Sequence, residues 1–504
     1  MNNLFISHCQ KAGALVCLFL WCATAVAAPP EEWKFDAISQ KAYDLVLNLQ
    51  TVEAYAMLPN PKTPQEHYVL ALGEALELLI TEDGEKYTEY EDHFEERLER
   101  KIKLNSPDEL LLLAEIRVQW AFVYLKYGHE FDAGLNLRQA FLTAKELKKR
   151  FPEYQAIKKT AGMLEVIIGS VPEQYNWVLS LLSMDGSIGE GMAELESFTK
   201  AGHPLSFEAG MISALAKGLL LQQTDSAVTE ARQLLAGHPG NRLALFLGGA
   251  LAIKNSQSEE ALFLLNTLST KHSGLPIYYA EYLKGEIYLH KAEYMEAMAA
   301  YRWFINHYKG QNFIKDAYYK VGLCYYLNGS NNDALQVFKQ ARTLGKEASE
   351  ADKYAARSLA DSELPHMQLT KARYATDGGY YDNARKILES ITPAQVPSKR
   401  DQVELIYRKA RLEHKTNHLS QAKELYKETV KQNGQEPWYY APNACLQLGY
   451  LAWADNDLEG AKTFFTLALS YKKHEYKNSI DSKAKSALAQ LKRNSGIGLV
   501  DQRR

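Results

Sequence analysis

Tyr282-Leu283-Lys284-Gly285-Glu286-Ile287-Tyr288, followed by Ala297-Met298-Ala299-Ala300-Tyr301 and Phe304, decides the fold of this chain. Gly285 and Ala297 lie twelve residues apart, and the interval recurs at Gly249/Ala261, Gly322/Ala334, Ala372/Ala384, Ala410/Ala422 and Gly449/Ala461. The first members follow one another at 36, 37, 50, 38 and 39 residues. Steps of three and four within each unit (Gly285, Tyr288; Ala297, Tyr301, Phe304) keep these side chains on one face of a helix. A small residue on the first helix lets the second approach closely, the alanine accepts it, and the aromatic is expected to fill the gap to the next unit. One such hairpin cannot bury both of its faces, so neighbours must stack. The fold class is therefore all-α, a superhelical solenoid of antiparallel helix pairs. Asn328-Gly329-Ser330-Asn331-Asn332, Asp377-Gly378-Gly379 and Asp455-Asn456-Asp457 supply turns between the paired helices. The residues beyond a minimal period are assigned to turns and lengthened helices.

The intervals resemble the tetratricopeptide repeat, whose period is about 34 residues. Units begin near Tyr278, Lys315, Pro365, Val403 and Pro442, with a further one near Arg242 in which Leu265 replaces the aromatic. The resemblance implies that first-helix positions 2, 5, 9, 12 and 13 line a concave groove. In this sequence they supply Tyr279, Tyr282, Tyr319, Tyr326, Arg373, Tyr407, Arg411, Tyr450 and Trp453 as groove candidates. Tyrosine recurs at the fifth position (282, 319, 407), and Tyr, Trp and Arg dominate binding hot spots. The Lys/Asn set with which such repeats clamp a C-terminal carboxylate is absent from these positions.

The 28–240 half reads as helical with a degenerate repeat, 241–478 as the regular array, 479–493 as a capping helix and 494–504 as a mobile tail. A helix is expected from Phe35 to Met57, and Thr63-Pro64-Gln65-Glu66 reads as a capped helix start with Pro in the first turn. The charged run Glu89–Arg97 reads as a solvated helix face rather than a carboxylate metal site. Ala121/Ala133 repeat the twelve-residue spacing. The block 155–200, punctuated by Gly162, Gly169, Gly186, Gly189 and Gly191, looks like the central segment of a eukaryotic tetratricopeptide family linked to lipid-droplet and inclusion-body clearance. Its glycines lack the Lys-Ser/Thr ending of a phosphate loop, and no strand precedes them.

No catalytic motif stands out: there is no nucleophile elbow, and His414 and His418 have no third ligand nearby, Asn417 placing the second histidine past the helix end. The expectation is a non-catalytic chain with no metal and no cofactor. The net charge of −3 gives no support to nucleic-acid binding, which calls for a basic excess. A protein or peptide partner is expected, held on the tyrosine-rich concave face. The alternative is a structural, self-assembling subunit associated with envelope polysaccharide. Nothing in the sequence fixes the oligomeric state.

Lys11, the apolar run Ala12–Ala25 and Ala25-Val26-Ala27 before Ala28-Pro29-Pro30 read as a secretory signal, residues 1–27, and hence an exported, periplasmic protein if the source is Gram-negative. An uncleaved N-terminal membrane anchor is the alternative. No other stretch is long enough to span a bilayer, so no membrane insertion of the mature chain is expected. Cys324 and Cys445 remain after cleavage, three hairpins apart, and read as small core residues rather than a disulfide. Intact-mass analysis of the chain recovered from a Gram-negative periplasm is expected to show Ala28 as the first residue; a species retaining Met1 contradicts cleavage.

Overall fold

The structure, a computed structural model, describes residues 32–100, 106–171, 184, 186–361 and 364–500; the signal segment lies outside them, as does the stretch 172–183 of the glycine-punctuated block. The described residues form helices and connecting turns, with no strand among them. No described helix is long and apolar enough to cross a membrane.

Antiparallel pairs follow one another along the chain. In the N-terminal half, Pro107–Tyr127 packs on Glu130–Arg150, Ile157–Gly169 on Ile188–Thr199, and Ser206–Leu215 on Thr224–Gly237. The six units found by spacing are the pairs Arg242–Lys254/Ser258–Ser269, Tyr278–Lys291/Tyr294–His307, Ile314–Leu327/Asn331–Ala341, Met367–Gly378/Tyr381–Ser390, Lys399–Lys415/Leu419–Asn433 and Tyr440–Ala454/Leu458–Ser470. The helix Lys477–Val500, longer than the expected cap, packs on the last pair through Ile480, Ala484, Ala487 and Leu491. Together these pairs make a tetratricopeptide-type solenoid.

The spacing has a direct steric cause. Every second-helix alanine of the six pairs is fully buried. The aromatic four residues further on lies on the glycine of its own hairpin instead of reaching the next, which corrects the expectation above. A Cβ at Gly285 would meet Tyr301 at 2.7 Å, one at Gly322 would meet Phe338 at 2.6 Å, and one at Gly449 would meet Phe465 at 2.5 Å. Leu265 occupies the same place on Gly249 at 2.8 Å. The ring needs the volume a side chain would take, so the first helix must carry a small residue there.

Seven residues after each small residue the backbone turns left-handed, at Ser256, Ala292, Gly329, Gly379, Asn417 and Asn456. This ends the first helix and reverses the chain. Only two of the six are glycine, so four hairpins carry the steric cost of a side chain at positive φ.

Three local expectations are revised. The Phe35–Met57 segment is two helices, Ala37–Leu47 and Thr51–Met57, broken at Leu49 with φ 61°. Leu49 accepts a backbone bond from Leu275 N (2.7 Å) and tucks into the core of the C-terminal array, so the break is what lets the two halves share buried surface. The 50-residue interval holds an unpaired helix, Glu350–Ala360, opened by a Ser349/Asp352 capping box. Its Asp352 carboxylate also accepts from Phe313 N (2.8 Å) and Asp316 N (3.0 Å), docking it on the start of Ile314–Leu327. The charged run carries a buried face: Arg97 forms a two-pronged ion pair with Glu74 (2.5 and 2.8 Å), and Tyr90 donates to Glu77 (3.0 Å). The capping box at Thr63/Glu66 forms as read, and Cys324 and Cys445 are buried free thiols.

That extra helix redirects the solenoid. Met367–Gly378 packs against Tyr278–Lys291 and Ile314–Leu327, so the inner helices of the two arrays meet face to face. Gly378 sits against His290, Gly379 against the Ser256 carbonyl, and Tyr380 donates to Glu259 (2.8 Å).

Two substitutions test the packing logic. Gly285→Val is expected to lower stability by about 1–3 kcal/mol by driving a side chain into Tyr301, whereas Ala292→Gly should raise it by about 1 kcal/mol by relieving left-handed strain. Urea unfolding of the full chain reads both, and equal effects at the two sites would contradict this packing.

Candidate functional surface

The nine groove candidates divide into a covered set and an open set. Tyr282, Tyr319 and Tyr407 are only 3, 5 and 3 % exposed, so as ligand-contacting groups they are corrected to core residues. The reason is the seating of Met367–Gly378 on the first array and the tight stacking of neighbouring hairpins. Tyr282 donates to Asp316 Oδ2 (2.5 Å) and accepts from Lys320 Nζ (2.8 Å). Lys320 also pairs with Glu286 (2.6 Å) and Asp316 (2.8 Å), and Tyr301 donates to Glu286. The phenols, carboxylates and ammonium satisfy one another, which is how charge tolerates burial. Tyr279 is half-buried, stacked on Tyr282 at 5.0 Å and against Phe313 at 4.5 Å. Tyr326 donates to the Pro365 carbonyl (2.9 Å) and helps fix the incoming segment. Tyr319 lies 5.7 Å from Phe338. Tyr407 donates to Asn443 Oδ1 (2.9 Å) and carries the Arg408 guanidinium over its ring.

The open set lines the inner wall of the second array. Arg373 lies over the Tyr374 ring (4.9 Å), reaches Tyr354 OH (3.3 Å), and faces Asp377 at 3.8 Å. Arg411 faces the same carboxylate at 4.0 Å. Tyr450 and Trp453 are half-buried, both edge-on to Phe465. Tyr354 stacks on Tyr476 at 5.8 Å, and Tyr476 meets Tyr439 at 5.1 Å, closing an aromatic arc between the single helix and the loop before the C-terminal helix.

Three lysines join this wall: Lys415, at a groove position by the sequence count, and Lys254 and Lys483, which that count did not name. Lys254, Lys415 and Lys483 come from the first unit, the fifth unit and the C-terminal helix, and none has a carboxylate at ion-pair distance among the described residues. Burial, reinforced by Lys254 and Arg411, pushes the Lys483 ammonium down to about 8. Burial and Arg411 also lower Lys415, against the pull of Asp377 and Asp225. The wall is thus a set of cations held close without enough counter-charge. Lys254 and Lys415 both occupy position 13 of their units, a coincidence visible in the sequence only once the weak first unit is counted. His414 and His418 have separate partners, Tyr426 OH (3.2 Å) and Glu413 (2.6 Å), and no group of three or more potential metal ligands occurs among the described residues.

Residues 442–475 match the tetratricopeptide repeat model TPR_8. No curated protein matches the chain in sequence. Among solved structures it is similar to a human IFIT1 dimer with m7Gppp-AAAA, at 13% identity and TM-score 0.34, over 91% of this chain and 96% of that one. It is also similar to Naa15/Naa10 bound to HypK-THB, at 15% identity and TM-score 0.28, over 88% of this chain and 65% of that one. The tetratricopeptide domain of P58(IPK) aligns at 13% identity and TM-score 0.21, over 83% of this chain and 99% of that domain. What those proteins bind is a property of those proteins.

Lys483→Met is expected to raise the thermal midpoint at pH 7. A lysine with a lowered folded-state pKa costs stability while both states hold the proton, and the cost fades as pH rises from about 8 to its ordinary 10.5. The gain from Lys483→Met should therefore shrink across that window; a gain independent of pH would contradict the electrostatic cause.

Proposed function

We propose that the chain is a non-catalytic interaction scaffold that holds an extended, acidic polypeptide segment on the inner wall of its second array. The observation that carries this reading is the pair Lys415 and Lys483, held down by burial and by the neighbouring cations Lys254 and Arg411 with no carboxylate at ion-pair distance among the described residues, in the same array as the half-buried rings of Tyr450 and Trp453. Carboxylates arriving there would relieve the mutual repulsion of the lysines, and the rings would take the apolar parts of the same segment. Arg373 and Arg411, already positioned by Asp377 and neighbouring phenols, supply planar donors suited to carboxylates. The first array contributes no groove to this reading, because its inner face holds Met367–Gly378.

The exported location belongs to the same proposal and rests on the segment Lys11–Ala28. A polysaccharide-associated role would call on stacked exposed rings, and Tyr282, Tyr319 and Tyr407 are spent in the core.

Fluorescence anisotropy of a labelled Glu/Asp-rich peptide on the full chain tests the proposal. Binding is expected to weaken with salt, and the Lys415→Glu/Lys483→Glu variant should bind about tenfold or more weakly. Unchanged affinity in the folded variant, or tighter binding of a single-stranded RNA oligonucleotide than of the peptide, would overturn it.

A further inference from the structure

The N-terminal half holds a cavity of about 640 Å³, within the range of ligand pockets. Its walls are apolar almost throughout: Leu72, Leu76, Val118, Met163, Met211 and Leu247 are representative. At its mouth Phe122, Leu215, Leu219 and Leu220 remain exposed, an unusual concentration of large apolar side chains in water. Leu219 and Leu220 belong to a π-helical turn, Ala216–Leu220, that ends the helix begun at Ser206. Such turns break the regular ladder and tend to occur at functional sites.

Gln119 supplies the second, independent observation. It lines the cavity, is only 8 % exposed, and neither its amide oxygen nor its amide nitrogen has a hydrogen-bond partner among the described residues. Buried polar groups are almost always paired, and an unpaired amide costs about 1–3 kcal/mol. A ligand carrying one acceptor and one donor would satisfy both atoms.

The rest of the polar lining fixes the charge of that ligand. Glu115 and Glu208 line the cavity and are tied to Lys159, which is fully buried, at 3.0 and 2.7 Å. Tyr43 (2.9 Å) and Tyr68 (2.5 Å) donate to Glu208, and Thr160 donates to Glu115. The cluster is internally satisfied but contains two carboxyls for one ammonium. An anionic head group would meet those carboxyls, and a strongly hydrated cation would lose its water against leucine walls.

We propose that this cavity binds a neutral single-chain amphiphile, with its aliphatic body on the leucine, valine and methionine walls and an amide or hydroxyl head hydrogen-bonded to Gln119. The site is separate from the cationic wall and does not depend on the peptide-binding proposal.

Oleamide and oleate, which share a chain and differ in head charge, are the probes, titrated into the full-length protein by calorimetry below their aggregation limits. Wild-type protein is expected to bind one oleamide per chain and to bind oleate at least tenfold more weakly. Gln119→Leu keeps the volume and removes the unpaired amide, so it should raise the melting temperature while erasing the preference for oleamide. Leu215→Trp, at the exposed mouth, should block both probes without unfolding the chain. Absence of saturable oleamide binding, equal affinity for the two probes, or an undiminished oleamide preference in Gln119→Leu would each overturn the proposal.

Discussion

One contact sets this architecture: a bulky side chain on the second helix of a hairpin seated on a small residue of the first. Tyr301 on Gly285, Phe338 on Gly322 and Phe465 on Gly449 are the same contact repeated. Each buries a ring whose removal from water is worth about 1.5–3 kcal/mol. The contact fixes how closely two helices lie, and the left-handed residue seven positions later fixes where the first one stops. Neither feature alone would stack hairpins; the two together leave each pair with an apolar face that only another pair can cover.

The regular parts of the chain were legible because that contact demands a small residue at a fixed place. Gly249 to Ala461 could be read as six hairpins from spacing alone, and every alanine of the set is buried as that reading requires. The groove was less legible. Tyr282 and Tyr319 sit where a regular array would expose them, and a local count cannot tell that a helix 85 to 96 residues beyond Tyr282 covers that face. The cause is a single inserted helix, Glu350–Ala360, which the sequence shows only as an interval of 50 in place of about 37. Gly285 and Gly322 constrain short-range packing; the meeting of two arrays depends on long-range geometry that no motif encodes.

Lys254, Lys415 and Lys483 make the same point for the open wall. They lie in three separate elements, and their mutual repulsion exists only once the solenoid has curved. Arg373 and Arg411, by contrast, could be named from position, and both guanidinium groups lie beside Asp377. The buried cluster of Lys320, Glu286, Asp316 and Tyr282 shows the cost of folding one array onto another. Polar side chains that would face solvent in an open groove must pair inside.

The central claim is that the chain occupies its own first groove and leaves the wall of the second array open. Mass-spectrometric mapping of tyrosine nitration on the native full-length protein tests it most directly. The account predicts that Tyr282, Tyr319 and Tyr407 stay unmodified while the exposed Tyr476 reacts. Nitration of Tyr282 and Tyr319 at the rate of Tyr476, in protein whose helical circular dichroism is unchanged, would contradict it.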